Sequence, residues 1–126
     1  MLDYFLLTYS VNKVGTTQQA KDISDSVRLD IGKLKKLENL ESWNEDLADP
    51  FVDWEKLDGL ETAIKGLIRV QGESNLEKER DITRKFNFIF RQILKENNAK
   101  SSTTIIKCAC MIESVGTTTE FEITNN

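Results

Sequence analysis

The sequence lacks histidine altogether, and this absence limits the chemistry that the chain can perform. Without imidazole there is no Ser-His or Cys-His nucleophile pair and no two-histidine zinc site. No other side chain changes its charge near neutral pH unless its surroundings perturb it strongly. Most common enzyme mechanisms are therefore excluded, and we expect a protein that is not an enzyme and that carries no cofactor.

Cysteine is scarce as well, since Cys108 and Cys110 are the only two in the chain. They stand two residues apart in a predicted strand, where a disulfide would have poor geometry, and two ligands do not make a zinc site. We interpret both as reduced thiols in the core. Apolar runs are short, and Asp3 stands where a signal peptide carries positive charge. We therefore expect a cytoplasmic protein.

The first half of the chain alternates between strand and helix patterns. Aromatic and β-branched residues alternate from Leu2 to Val11, which predicts a strand. Thr16 and Gln19 form a capping pair for a helix that is predicted to run to about Leu37. Residues 60–70 fit either a strand or a helix, and the glycines in and around them favour a strand.

The second half is more regular. Ser74 or Asn75 caps a helix that continues to about Asn97, and Thr103–Glu113 and Thr118–Thr124 are predicted to form a hairpin. A chain of 126 residues with 39% apolar content is ordinary for one globular domain. We predict a single α+β domain over residues 1–126, in the order β-α-β-α-β-β. Its mixed sheet carries both helices on one face, in two layers.

An acidic segment connects the first helix to the strand predicted at 60–70. Residues 38–58 contain eight acids and one base, together with Phe51 and both tryptophans, Trp43 and Trp54. We interpret this segment as a long connection that its aromatic residues hold to the body of the protein. Three alternatives remain: it covers the open sheet face, it presents carboxylates to a basic partner, or it is a solvated loop.

The predicted strand Thr103–Glu113 is apolar on both faces, with Lys107 as the exception. One layer of helices can cover only one face of a sheet. We therefore expect the other face to be covered by the acidic segment or by a second subunit. In the second case the protein is a homodimer or a higher oligomer, formed through the sheet face or through a strand edge.

The second helix carries an aromatic residue on its polar side. At about 100° per residue, Phe88 lies opposite the apolar stripe and shares its side of the helix with basic residues. This composition is typical of an interface anchor, although Phe88 could instead lie beneath the acidic segment. The predicted partner-binding residues are Phe88, Arg84, Arg91, Lys95, Trp43 and Trp54.

The opening segment Tyr4-Phe5-Leu6-Leu7-Thr8-Tyr9-Ser10-Val11-Asn12-Lys13 resembles the first strand of the small Cas2-like proteins. The resemblance implies a ferredoxin-like fold. It also implies an alternative function, in which the chain binds nucleic acid or nucleotides and acts as a metal-dependent phosphodiesterase. Where that family has a metal-binding aspartate, this sequence has Ser10.

The charge balance decides between these functions. The bases of the second helix favour nucleic acid, but Glu77, Glu79 and Asp81 lie on the same helix and the net charge is −4. We therefore predict a non-enzymatic binding protein that contacts another protein and does not bind a membrane. Inhibitors, immunity proteins and antitoxins are the class it fits by analogy.

Overall fold

The structure is a computed structural model that describes residues 1–39, 49–60 and 62–125. Trp43 lies outside the described residues. The described residues form five strands and two helices: β1 (Leu2–Lys13), α1 (Gln18–Gly32), β2 (Phe51–Lys56), β3 (Ala63–Arg69), α2 (Asn75–Glu96), β4 (Thr104–Ile112) and β5 (Thr118–Ile123). A single 3-10 turn, Leu37–Asn39, follows α1. The α+β class and the strand at 60–70 are therefore confirmed.

The strands form one open antiparallel sheet in the order β2-β3-β1-β4-β5. The prediction of a mixed sheet in the order β-α-β-α-β-β is wrong, because β2 adds a strand between α1 and β3. The chain returns from α1 along β2 and turns back into β3, which therefore runs antiparallel to β1. The first four strands have the order of a split β-α-β, or ferredoxin-like, arrangement, and β5 extends it.

A β-bulge explains why the sequence pattern did not reveal β2. The register against β3 shifts between Phe51 and Asp53, so Phe51 and Trp54 both face the core although they are three residues apart. Strict alternation would have placed them on opposite faces. Residues 49–58 of the acidic segment, which contain β2, thus extend the sheet at its edge instead of covering its open face.

The observed ends of the two helices agree to different degrees with the ends predicted from the sequence. Ser74 and Glu77 form the capping box of α2, as the spacing predicts. In α1 the cap is Thr17, whose Oγ1 accepts a hydrogen bond from the Ala20 N–H, instead of Thr16. This helix ends at Gly32, before the predicted Leu37. No helix in the described ranges is both long and apolar enough to cross a membrane.

The core lies between one face of the sheet and the two helices. It is rich in aromatic rings: the Phe86 ring centroid is 5.2 Å from those of Phe5 and Phe51, and Phe121 stacks on it at 6.3 Å. Inward residues of α1, such as Val27 and Ile31, complete the same cluster. Neither α1 nor α2 lies on the opposite face of the sheet, where Tyr4, Leu6 and Met111 are exposed.

The bulge in β2 predicts an unusual sensitivity at Gly66 of β3. A Cβ on Gly66 would meet the Asp53 carbonyl oxygen and lie 3.0 Å from the Phe5 ring. We expect Gly66→Ala to lower the free energy of unfolding by about 1–3 kcal/mol, since the backbone of the bulge has to move. Urea denaturation measures this change.

Gly32→Ala is the matched control, because nothing lies within 4 Å of a Cβ at this last residue of α1. We expect it to be neutral or to stabilise the protein by up to about 1 kcal/mol. Equal stability of the two variants would show that β2 does not approach β3 as closely as described.

Candidate functional site

Four of the predicted partner-binding residues lie together on the outward side of α2. Arg84, Phe88, Arg91 and Lys95, which we call the basic helix face, follow one another at helical spacing. Phe88 is 47% exposed, and the Arg84 guanidinium carbon lies 5.8 Å from the centre of its ring. Lys95 is exposed and Arg91 is half-buried. Arg91 Nε has no hydrogen-bond partner in the part of the chain that the structure describes.

Trp54 does not join this group. Its side chain is buried in the core, where its ring centroid is 5.2 Å from that of Phe51, and its Nε1 donates a hydrogen bond of 2.9 Å to the Leu34 carbonyl oxygen. Burial and a satisfied N–H are typical of a core tryptophan. The sequence prediction that Trp54 contacts a partner is therefore corrected, because its side chain is buried in the core of this structure.

Asp81 binds two basic residues of α2, Arg84 and Lys85. It accepts hydrogen bonds from Arg84 Nη2 at 2.8 Å, from Lys85 Nζ at 2.5 Å and from the Gln71 N–H at 2.8 Å. Lys85 is buried and also donates to the Arg69 carbonyl oxygen at 2.6 Å. Burial on its own would raise the pKa of Asp81, but the hydrogen bonds from Lys85, Gln71 and Arg84 hold it below its ordinary value.

The open face of the sheet is the second uncovered surface, and it is apolar at its centre. Tyr4, Leu6 and Met111 are 66%, 45% and 46% exposed and lie on neighbouring positions of β1 and β4. They line a depression of about 570 Å³. A centre of apolar residues with charged residues around it is the composition of a protein contact surface. We call this surface the open sheet face.

The rim of the open sheet face is mainly acidic. Lys65 pairs with Glu55 at 3.8 Å, and Lys107 pairs with Glu122 at 3.9 Å. The other charged residues that the strand register places on this face are Asp53, Glu113, Glu120 and Arg69. The described residues of the face therefore have five carboxylates against three basic groups.

One polar cluster, in which Asp3 and Lys78 are buried and Ser114 is exposed, resembles a catalytic arrangement. Ser114 Oγ donates to Asp3 at 2.7 Å and accepts from Lys78 Nζ at 3.3 Å. A lysine that activates a serine has to accept the hydroxyl proton, whereas here Lys78 donates to the oxygen. The Ser114 N–H also donates to Asp3 at 3.0 Å. We interpret the cluster as a structural link between β1, α2 and the β4–β5 turn.

The two thiols and the described carboxylates are the remaining groups to consider. Cys108 and Cys110 are buried on the helix side of β4, and burial raises the pKa of each thiol to about 12. Such thiols are unreactive at neutral pH. Across residues 1–39, 49–60 and 62–125 there is no group of three potential metal ligands.

No family model, curated protein or solved structure matches this chain. The resemblance of the first strand to Cas2-like proteins thus stands on that strand alone. Ser10, at the position of that family's metal-binding aspartate, is exposed and accepts a hydrogen bond from Asn12 Nδ2 at 3.3 Å. The strand order agrees with the ferredoxin-like fold, and a fold does not by itself imply a function.

The sequence indicated only part of the open sheet face. The apolar outward positions of β4, among them Met111, indicated that something should cover them. The exposure of Tyr4 and Leu6 was not predicted, because β1 is apolar on both sides and its pattern does not show which side the helices cover. Tyr4 and Leu6 are two residues apart in β1, and Phe5 lies between them in sequence. Because successive strand residues point to opposite faces, this spacing indicated that both lie on the face opposite Phe5.

The geometry of α2 predicts different roles for its phenylalanines. Phe86 is fully buried, so Phe86→Ala should lower the free energy of unfolding by about 3–5 kcal/mol. Phe88→Ala should lower it by less than about 1 kcal/mol, because the ring is exposed and its contact with Arg84 is weak. Urea denaturation of both variants measures the difference. If both variants lost the same free energy of unfolding, Phe88 would be buried like Phe86.

The network around Asp81 predicts a dependence of stability on pH. Asp81→Asn should cost about 3 kcal/mol at pH 7, because buried Lys85 loses its charged partner. The folded-state pKa of Asp81 is lowered, so its contribution is complete above the unfolded pKa of about 3.9 and is lost as pH falls through the folded value.

The stability difference between the native protein and Asp81→Asn should therefore shrink as the pH is lowered from 7 to about 3 in urea titrations. Asp58→Asn, at an exposed position in the β2–β3 turn, is the control and should differ little from the native protein at any pH. A difference for Asp81→Asn that stays constant with pH would contradict the role given to this carboxylate.

Proposed function

We propose that the protein is a non-enzymatic binding protein of the cytoplasm and that the open sheet face makes its principal contact with another protein chain. The observation that carries this proposal is the exposure of Tyr4, Leu6 and Met111 around one depression. Inhibitors, immunity proteins and antitoxins work in this way, by occupying a surface without chemistry. The contact includes association between copies of the chain.

Apolar exposure on this scale has a thermodynamic cost that supports the proposal. Each large apolar side chain left in water forgoes about 1.5–3 kcal/mol relative to full burial. Scattered single residues need no explanation, but these three are neighbours in the strand register. A partner that covers them together recovers much of that free energy.

The two edges of the sheet are less suitable for contact than its face. The β2 edge has a bulge and carries Asp53 and Glu55, both of which oppose strand addition. At the other edge, an antiparallel pairing of two β5 strands about Phe121 would place Glu120 opposite Glu122. Like charges directly opposite each other destabilise a strand pair. The face is therefore the better candidate.

The test compares three forms of the tagged protein. Leu6→Ser/Met111→Ser removes two apolar contacts from the open sheet face, and Leu29→Ser changes an exposed apolar residue of α1 as a control. We expect the native protein and Leu29→Ser to bind a second protein chain. Light scattering of the pure protein detects a second copy, and recovery from a native lysate detects a different protein. The double variant should lose at least about tenfold in affinity for that second chain.

A thermal-shift screen of the native protein addresses the alternative function. A ligand that binds the folded state raises the thermal midpoint by mass action. If the protein binds neither nucleotides nor divalent cations, as we propose, these ligands should leave the midpoint unchanged. A rise in the midpoint would favour nucleotide binding over the proposal. Retention of every bound chain by the double variant would show that the open sheet face is not the contact surface.

A further inference from the structure

We propose that the occupant of the open sheet face is the basic helix face of a second copy of the chain, so that copies associate head to tail. This inference rests on the proposed function of the open sheet face as a contact surface. It goes further by assigning the partner and by giving Phe88 and its basic neighbours the role of the inserted element.

Charge complementarity is the first argument. Beside its two ion pairs, the open sheet face carries three further carboxylates, those of Asp53, Glu113 and Glu120, against one further base, Arg69. The basic helix face presents cations, and the carboxylate that binds its Arg84, that of Asp81, is shared with Lys85. Opposite potentials steer two such surfaces together and fix their orientation.

The spacing of the charges also agrees. Asp53 lies on β2 and Glu113 follows β4, so three strand separations of about 4.8 Å each place them roughly 14 Å apart. On α2, Arg84 and Lys95 are eleven residues apart. At about 1.5 Å per residue they are separated by roughly 16 Å. Both distances are within the reach of flexible basic side chains.

The apolar parts coincide with these charges. Tyr4 lies between Asp53 and Glu113 in the strand order, and Phe88 lies between Arg84 and Lys95 on the helix. When the charges are matched, the Phe88 ring falls over the depression lined by Tyr4, Leu6 and Met111. An aromatic ring meeting an aromatic ring and a thioether gains specific contacts beyond the burial of area.

A symmetric alternative is disfavoured by the same charges. If two open sheet faces met around a two-fold axis, each would bring its excess carboxylates to the other, and the repulsion would grow as water is excluded. The basic helix faces would then remain uncovered. A head-to-tail contact uses both surfaces of every copy, and it gives either a ring or an open chain of subunits.

Two variants and their mixture test the arrangement. Tyr4→Glu damages only the open sheet face, and Phe88→Glu damages only the basic helix face. Both positions are exposed, so at a concentration too low for association their thermal midpoints should match that of the native protein, which checks that the fold is kept. We expect the native protein to self-associate increasingly with concentration and each variant alone to stay at the monomer mass of 14.4 kDa.

An equimolar mixture of the two variants should form dimers and stop there. Only one intact pair of surfaces exists in the mixture: the helix face of Tyr4→Glu and the sheet face of Phe88→Glu. Sedimentation velocity resolves the dimer, and high salt should weaken it. Should either variant fail to fold, Met111→Glu and Lys95→Glu replace them, since both positions are exposed and the two added negative charges repel each other, with the same expectation for the mixture.

Three results would overturn the inference. Continued self-association of Phe88→Glu, with no recovery in the mixture, would indicate a symmetric contact between sheet faces. Separate monomers in the mixture of two folded variants would show that the surfaces do not fit each other. A monomeric native protein whose open sheet face still captures another protein would leave the proposed function standing and refute the head-to-tail contact.

Discussion

The Phe86 ring packs against Phe5 of the central strand and Phe51 of an edge strand, and this contact fixes the rotation of α2. Successive helical residues turn by about 100°, so once Phe86 faces the sheet, Phe88 has to face outward. Ile82, Ile89 and Ile93 follow Phe86 into the core for the same reason. The basic helix face is therefore a geometric consequence of how the core is packed.

Polar contacts complement this packing at the end of β3. Lys85 joins Asp81 to the Arg69 carbonyl oxygen, so the first half of α2 is bonded to the strand that precedes it. The Asp3–Ser114–Lys78 cluster similarly connects the start of β1 to the turn after β4. Each cluster is satisfied internally, which explains why buried charged groups are tolerated in a small core.

Regular periodicity accounts for the parts of the fold that could be predicted from sequence. The second helix and the hairpin after it have strict patterns and clear turn residues, and they were placed to within a residue or two. β2 could not be recognised, because its bulge places Phe51 and Trp54 on the same face at an uneven spacing. With β2 missed, Trp54 was interpreted as a contact residue although it is buried.

The candidate surfaces were predictable to different degrees for a related reason. A helix separates its faces clearly, so the outward position of Phe88 followed from angular spacing alone. A strand that is apolar on both sides does not show which side is covered, and Tyr4 and Leu6 were therefore not distinguished from Phe5 and Leu7. That distinction depends on where the helices pack, which is tertiary information.

The central place of β1 has a consequence for the way the protein acquires its structure during synthesis. This strand is made before both of its partners, β3 and β4, and its Leu6 pairs with Met111, which lies far along the chain. The edge of β1 that pairs with β3 can form once Arg69 has left the ribosome, but the edge that pairs with β4 stays open until Ile112 has done so. Pairings of such long range are slow to form and leave apolar strands open to wrong contacts meanwhile. During synthesis, the edge of β1 that faces β4 is thus the part of the sheet that waits longest for its partner.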